Sequence, residues 1–423
     1  MNVKQYFKEF YQTTRKPTVK AMEYFMEELG HPEKKVKIIH VAGTNGKGSV
    51  TEMLTNILVK NGYRVGKYMS PHLIEYNERI SVNHKHIRDE EMIQIIDEIK
   101  GKIEHYNQIS DEKVTLFELL TIMAFVYFAK QDCDFAVIET GLGGLYDSTN
   151  IVEPMVSIIT SIGYDHMAIL GNTLEEIAIQ KAGIIKQNSN TVMMEQKESI
   201  QKIVEDTCQE KNNIVTIVQK ENIKNKRQEG ENSIFDYKGY KDIKLNLKGE
   251  KQFENAVLCL ETIEIIKKQG YEISNQAIKE GLATVIHRAR FETLQENPKI
   301  IYDGGHNEEA ILNFTNTVNR YYLKEEKIYI VSILKTKDYK AVLKQLLKDK
   351  TASFIFTTGN DETRYVSSEE LYHTAKQINK QVNADQKSLT DAVSYVKTQK
   401  GKIIFIVGSF YIYEDVIKLV KEN

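Results

Sequence analysis

The run His40-Val-Ala-Gly-Thr-Asn-Gly-Lys-Gly-Ser-Val50 restricts the chain more than any other segment. Apolar Val36, Ile38, Ile39 and Val41 lead into it and predict a buried strand. Val50, Met53, Leu54, Ile57 and Leu58 lead out of it at helical spacing. A strand, a glycine-rich turn and a helix start in that order make an anion cradle. Backbone N–H groups and the positive helix end face a phosphate, and a lysine adds charge. Gly43, Gly46 and Gly48 are expected to let the backbone bend and approach the phosphates. Lys47 is placed to reach the terminal phosphates and Ser49 to ligate magnesium. Gly48 stands between the lysine and the hydroxyl, a departure from the commoner GxxxxGK[ST] order.

The remainder of the chain alternates predicted strands and helices, which indicates an α/β fold with mostly parallel sheets. Strands are expected at 64–69, 135–140, 155–162 and 192–195. Helices are expected near 89–103, over 115–130, and over 173–183, where Thr173 and Glu176 are spaced as a capping box. The stretch from about 197 to 251 is polar and reads as an irregular β-rich excursion. A helix over 253–269 follows, with Gly270 placed to stop it. Strands at 299–302, 327–333, 353–358 and 403–407 restart the rhythm. At 423 residues the chain exceeds one ordinary core, so two domains are expected. The boundary is read at Glu296-Asn-Pro-Lys299, which gives a P-loop parallel-sheet domain at 1–296 and a smaller Rossmann-like α/β domain at 297–423.

Hydrophobic content of 41%, charged content of 27% and a net charge of −2 fit a globular protein without a broad nucleic-acid footprint. Cys133, Cys208 and Cys259 are few, odd in number and form no CxxC pair, which predicts a reducing compartment. Residues 1–14 hold no apolar core of signal-peptide length, and no stretch has the length of a membrane span. These points together predict a cytoplasmic protein.

In open α/β sheets ligands collect beyond the carboxyl ends of the strands. Glu139, Asp165-His166 and Tyr302-Asp303-Gly-Gly-His306-Asn307 all fall there. Magnesium favours oxygen ligands, which suits Ser49 and Glu139, with His166 a less typical ligand. Asp303 is a candidate ribose partner, His306 a phosphate contact and Arg290 a bidentate phosphate clamp. Lys181 lies on the stripe Leu174, Ile177, Ala178, Ile185. A lysine there either snorkels or pairs, or it loses its proton to desolvation. A neutral amine reacts with carbon dioxide to give an anionic carbamate.

Gly43-Thr-Asn-Gly-Lys-Gly-Ser49 resembles the ATP loop of the Mur ligases. Ser70-Pro-His-Leu73 with Glu78-Arg79-Ile80, Thr115-Leu-Phe-Glu118 and Glu139-Thr-Gly-Leu-Gly-Gly144 with Asp147-Ser-Thr-Asn150 narrow the resemblance. So do Thr160-Ser-Ile-Gly-Tyr-Asp-His166, Leu170-Gly-Asn-Thr173, Lys181-Ala-Gly-Ile-Ile-Lys186, Asp303-Gly-Gly-His-Asn307, Lys337-Asp338 and Gly408-Ser-Phe-Tyr411. In that order they resemble the folylpolyglutamate synthase and dihydrofolate synthase family. The resemblance implies an ATP-dependent amide ligase. It would add L-glutamate to the carboxylate of tetrahydrofolate or its polyglutamates through an acyl phosphate, with dihydropteroate as a second acceptor.

By resemblance, Asn45, Gly46, Lys47, Gly48 and Ser49 hold the triphosphate, and Ser49, Ser70, Glu139 and His166 serve magnesium. Lys181 matches a lysine that is N6-carboxylated in the family. Asn255, Arg290 and Asp303 match ATP contacts. Lys47, Lys181, His166 and His306 form the catalytic set. Thr115, Phe117, Glu118 and Tyr146 lie where the pterin or pteroate part is expected. Leu145-Tyr146 stand where the family usually has Arg-Leu. A monomer is expected. Two other readings stay open: a chain acting mainly as a dihydrofolate synthase, and a P-loop kinase or nucleotide switch with no amide product.

Overall fold

A computed structural model describes residues 3–10, 18–230, 232–359 and 361–421. Residues 1–2 and 11–14 of the N-terminal segment considered above lie outside them. The chain divides into two compact units. One comprises Met1–Asn246 with Gln252–Val285, and the other Leu247–Lys251 with Ile286–Asn423.

The first unit is built on strands β1 Lys37–Ala42, β2 Val65–Tyr68, β3 Ile80–Val82, β4 Lys85–His86, β5 Phe135–Glu139, β6 Val156–Ile159, β7 Asn190–Met194 and β8 Ile214–Val218. They order as β4-β3-β2-β5-β1-β6-β7-β8. The β2–β3 and β3–β4 pairs are antiparallel, and every other pair is parallel. β1 is therefore interior, which explains its run of buried residues Ile38 to Ala42. The helix Leu116–Lys130 is buried over nearly its whole length because its sequence is apolar all round.

The Thr173–Glu176 box forms as its spacing predicts, with Glu176 N–H donating to Thr173 Oγ1 at 3.1 Å. Helix Glu250–Lys268 ends at Gly270, whose φ is +95°. Helix Asn275–Thr284 packs on helix Lys47–Lys60 through Gly281, where an added Cβ would lie 2.7 Å from Ile57 Cα. Gly281→Val is therefore expected to lower the unfolding free energy by about 1–3 kcal/mol, read by denaturant melts.

The excursion expected at 197–251 is corrected by the structure. Its first part is helix Glu198–Glu210 followed by β8, which extends the main sheet. Ile200, Val204 and Cys208 are buried at four-residue spacing there, a stripe hidden among polar neighbours. Only β9 Ile223–Glu229, β10 Asn232–Tyr237 and β11 Tyr240–Leu245 form a separate antiparallel sheet.

The second unit holds β12 Glu292–Glu296, β13 Lys299–Asp303, β14 Lys327–Val331, β15 Ala352–Phe356, β16 Ala384–Gln386 and β17 Ile403–Val407, ordered β12-β13-β17-β14-β15-β16. β12 pairs antiparallel with β13. The polar run at 296–299 is thus a hairpin turn inside this unit, and the units divide between Val285 and Ile286. Leu247–Lys251 also joins the second unit, where Arg320 Nη1 donates to Glu250 Oε2 at 2.9 Å. No helix among the described residues is long and apolar enough to cross a membrane.

Candidate active site

β1 ends in the glycine-rich turn, and helix Lys47–Lys60 begins directly after it. The N-cap residue is Gly46, in the left-handed region at φ +95°. It offers no side chain to the first N–H groups of the helix, which leaves them suited to an anion. Any side chain at Gly46 would press on Asn255 Oδ1, at 2.5 Å from a built Cβ. Gly43 is tighter still, with Thr160 Oγ1 at 1.9 Å. Gly48, expected to help the backbone bend, instead sits in the first turn of the helix.

The turn is braced by the segment after β6. Thr44 N–H donates to Ser161 O at 2.7 Å, and Asn45 N–H to Ser161 Oγ at 3.1 Å. Thr160 Oγ1 donates to Asn45 O at 2.7 Å. These bracing hydroxyls were not singled out as site residues from sequence. Their role follows from β6 lying beside β1, which a linear pattern does not reveal.

Lys47 Nζ donates to Gly43 O at 3.1 Å and lies 4.0 Å from Glu139 Oε1. Glu139 closes β5, the other neighbour of β1, and is buried, as is Ser49. Ser70 follows β2, whose end pairs with β5 through Tyr68 and Ile138. Its loop is closed by Met69 N–H on Arg79 O at 3.0 Å. His166 caps the short helix Met167–Leu170 with φ +50°. Its N–H donates to Asp165 Oδ1 at 2.9 Å and its ring stays half-exposed.

Among the described residues no three His, Cys, Asp or Glu side chains converge as a metal cage. A hydroxyl and one carboxylate beside a phosphate cradle fit a hard cation that takes its other ligands from phosphate and water.

Lys181 lies in the last turn of helix Leu174–Ala182 and is 3% exposed. Burial, and then the charge of Lys47, lower its pKa to about 7, while Asp165 and Asp147 oppose the shift. The loop Gly141–Asp147 docks on this helix, with Leu145 N–H donating to Gln180 O at 2.7 Å. Gly183 allows that approach, since a Cβ there would meet Leu145 Cα at 2.3 Å.

Thr115 and Glu118 engage each other as a capping box. Thr115 N–H donates to Glu118 Oε2 at 2.8 Å, and Glu118 N–H to Thr115 Oγ1 at 3.3 Å. Phe117 packs on Gly141, where a built Cβ would lie 2.4 Å from its Cζ. Tyr146 is 50% exposed on the same loop as Gly141.

In the second unit Asp303 ends β13 and accepts from Phe291 N–H at 2.9 Å and Gly305 N–H at 2.8 Å. Burial raises its pKa, against the pull of Arg290 and those two donors. The Arg290 guanidinium lies 4.5 Å from the Phe410 ring centre. Both of its neighbours, Ala289 at φ +56° and Phe291 at φ +47°, hold left-handed backbone that non-glycine residues avoid. Such strain clusters at ligand sites, and nothing in the composition signals it. His306 Nδ1 donates to Gly304 O at 2.9 Å, so in the neutral ring Nε2 carries the lone pair.

Known proteins share this architecture. The Mur ligase middle-domain family matches residues 41–263, and the dihydrofolate synthetase C-terminal domain family matches 287–419. The chain is 38% identical over 419 residues to the dihydrofolate synthase/folylpolyglutamate synthase of Bacillus subtilis, covering 96% of this chain and 95% of that protein. It is 31% identical to the folylpolyglutamate synthase of Lacticaseibacillus casei, covering 78% and 77%. A Mycobacterium tuberculosis folylpolyglutamate synthase structure, complexed with ADP and AMPPCP, superposes with a TM-score of 0.89 at 26% identity, covering 100% of this chain and 98% of that one. With family models matching both α/β units and a relative 38% identical along nearly the whole of both chains, the chain is a member of the folylpolyglutamate synthase/dihydrofolate synthase family.

Proposed function

We propose that the protein is an ATP-dependent ligase that adds L-glutamate to the carboxylate of a reduced folate, with dihydropteroate as a second acceptor. The observation that carries this reading is the Lys47–Glu139 pair at 4.0 Å in a glycine cradle, with the buried amine Lys181 nearby. A kinase or nucleotide switch has no use for that amine.

The first unit is the ATP-binding ligase unit. N–H groups of Asn45 to Ser49 hold the triphosphate, and Lys47 offsets its charge as the γ-phosphoryl group passes to the folate carboxylate. The products of that step are ADP and an acyl phosphate. The glutamate amine then attacks the carbonyl, loses a proton, and phosphate leaves with one carboxylate oxygen. Ser49, Ser70, Glu139 and His166 would hold magnesium, which supplies charge neutralisation at the phosphates. The chain's own contribution is positioning and fixed charge.

Lys181 takes up carbon dioxide as a carbamate: its neutral amine bonds to the carbon and releases one proton. Asn255 in the first unit is a nucleotide contact, and the second unit offers Arg290 and Asp303 as nucleotide contacts and His306 as a phosphate contact. Phe117 and Tyr146 receive the pterin or pteroate part, on a frame held by Thr115 and Glu118. The protein works as a cytoplasmic monomer.

The test is product mass after incubation with ATP, magnesium and glutamate plus either tetrahydrofolate or dihydropteroate. A product heavier by one glutamyl residue, formed only when all components are present, is expected from both acceptors. Product from dihydropteroate alone would make the chain chiefly a dihydrofolate synthase. ATP hydrolysis without an amide product would overturn the reading. Intact mass in bicarbonate buffer should show the added carboxyl group, absent in Lys181→Met.

A further inference from the structure

The mechanism above makes no use of His40, a fully buried histidine in the middle of β1. Its Nε2 lies 2.8 Å from Thr149 Oγ1. That hydroxyl donates its one proton to Asp147 Oδ1 at 2.6 Å. Against His40 it therefore accepts, which puts the imidazole proton on Nε2. His40 Nδ1 is then left buried with no hydrogen-bond partner. Burial and the charge of Lys186 lower the ring's pKa to about 3, so it stays neutral. A phenylalanine would fill the space without orphaning a nitrogen, so the histidine is explained by the bond that it donates.

Asp147 is the other end of this chain. Its Oδ2 accepts from Leu142 N–H at 2.7 Å, and its Oδ1 also accepts from Thr149 N–H at 3.0 Å. Leu142 follows Gly141, the residue on which Phe117 packs, and Tyr146 precedes Asp147. The path from β1 to the acceptor pocket is thus continuous through hydrogen bonds and one packing contact.

We propose that His40 is a positioning residue for the acceptor: its Nε2–H fixes the Thr149 hydroxyl, which fixes Asp147, which fixes the Gly141–Tyr146 loop around the pteridine-type substrate. This rests on the reading of Phe117 and Tyr146 as the acceptor pocket. The nucleotide cradle, although it begins at the end of the same strand, is braced by Thr160 and Ser161 and stands outside this path.

The test uses the full chain and steady-state kinetics with tetrahydrofolate. His40→Phe should raise the acceptor KM about tenfold and leave the ATP KM within about twofold. His40→Gln, whose amide N–H can replace Nε2–H, should restore the acceptor KM. Thr149→Val should give the same rise, Thr149→Ser should not, and His40→Phe with Thr149→Val should be no worse than either alone. Should His40→Phe fail to fold, the Thr149 pair decides. A wild-type acceptor KM in Thr149→Val, additive effects in the double variant, or a rise in the ATP KM instead would each overturn the proposal. Absence of any acceptor-dependent product from the unmodified chain would overturn the functional reading, a separate outcome.

Discussion

Lys181→Met is expected to stabilise the protein while abolishing ligation. In carbonate-free buffer the buried amine has its pKa lowered to about 7 from 10.5, chiefly by burial. The unfolded chain therefore binds that proton more tightly than the folded one. Below about pH 7 the folded state carries the full cost of a buried charge. The cost shrinks as pH rises from 7 and is gone near 10.5, where the unfolded lysine is also neutral. Methionine fills the stripe without a charge. The variant should gain on the order of 4 kcal/mol at pH 6 and nothing near pH 10.5. Denaturant melts across that range check the sign, and initial rates check the loss. Bicarbonate should narrow the gap in the unmodified chain by converting the amine to a carbamate. A variant that is less stable at pH 6 would contradict the desolvation account.

Lys47→Ala is expected to lower kcat/KM by about 10³-fold, which is about 4 kcal/mol of lost transition-state stabilisation. Stability should change little. Lys47 donates to Gly43 O, and its ammonium lies 4.0 Å from the buried Glu139 carboxylate, beyond hydrogen-bond reach. Lys47→Arg should not restore the rate, since a planar fork does not replace a compact ammonium in a glycine cradle. The same substitution removes the positive charge that helps to lower the Lys181 pKa. Carbon dioxide uptake at Lys181, followed by intact mass, should therefore need a higher pH in Lys47→Ala. An unchanged rate in a folded Lys47→Ala would place phosphoryl transfer elsewhere.

What was legible in the sequence is what depends on local pattern. The strand-glycine-helix run declared the cradle because apolar spacing and glycines carry their own geometry. Lys181 was conspicuous because a charge on an apolar stripe is a local contradiction, and it is buried. Glu139 was read at a strand end, and it does close β5. What stayed hidden depends on sheet order. Thr160 and Ser161 brace the turn only because β6 lies beside β1. His40 reaches Thr149 across more than a hundred residues. Helix Glu198–Glu210 was masked by its polar face, and Glu292–Glu296 by its place ahead of a proline turn. The left-handed residues flanking Arg290 leave no trace in residue type, because their strain is imposed by Asp303 and Glu292 binding the Phe291 and Ala289 N–H groups.

The central claim is that ATP activates a folate carboxylate before glutamate attacks it. Tetrahydrofolate labelled with ¹⁸O in its γ-carboxylate, incubated with the protein, ATP, magnesium and glutamate, tests this directly by mass spectrometry of the released phosphate. One ¹⁸O should appear in each phosphate formed, in step with the glutamylated product. Unlabelled phosphate formed alongside glutamylated product, with the displaced ¹⁸O in water instead, would contradict the account.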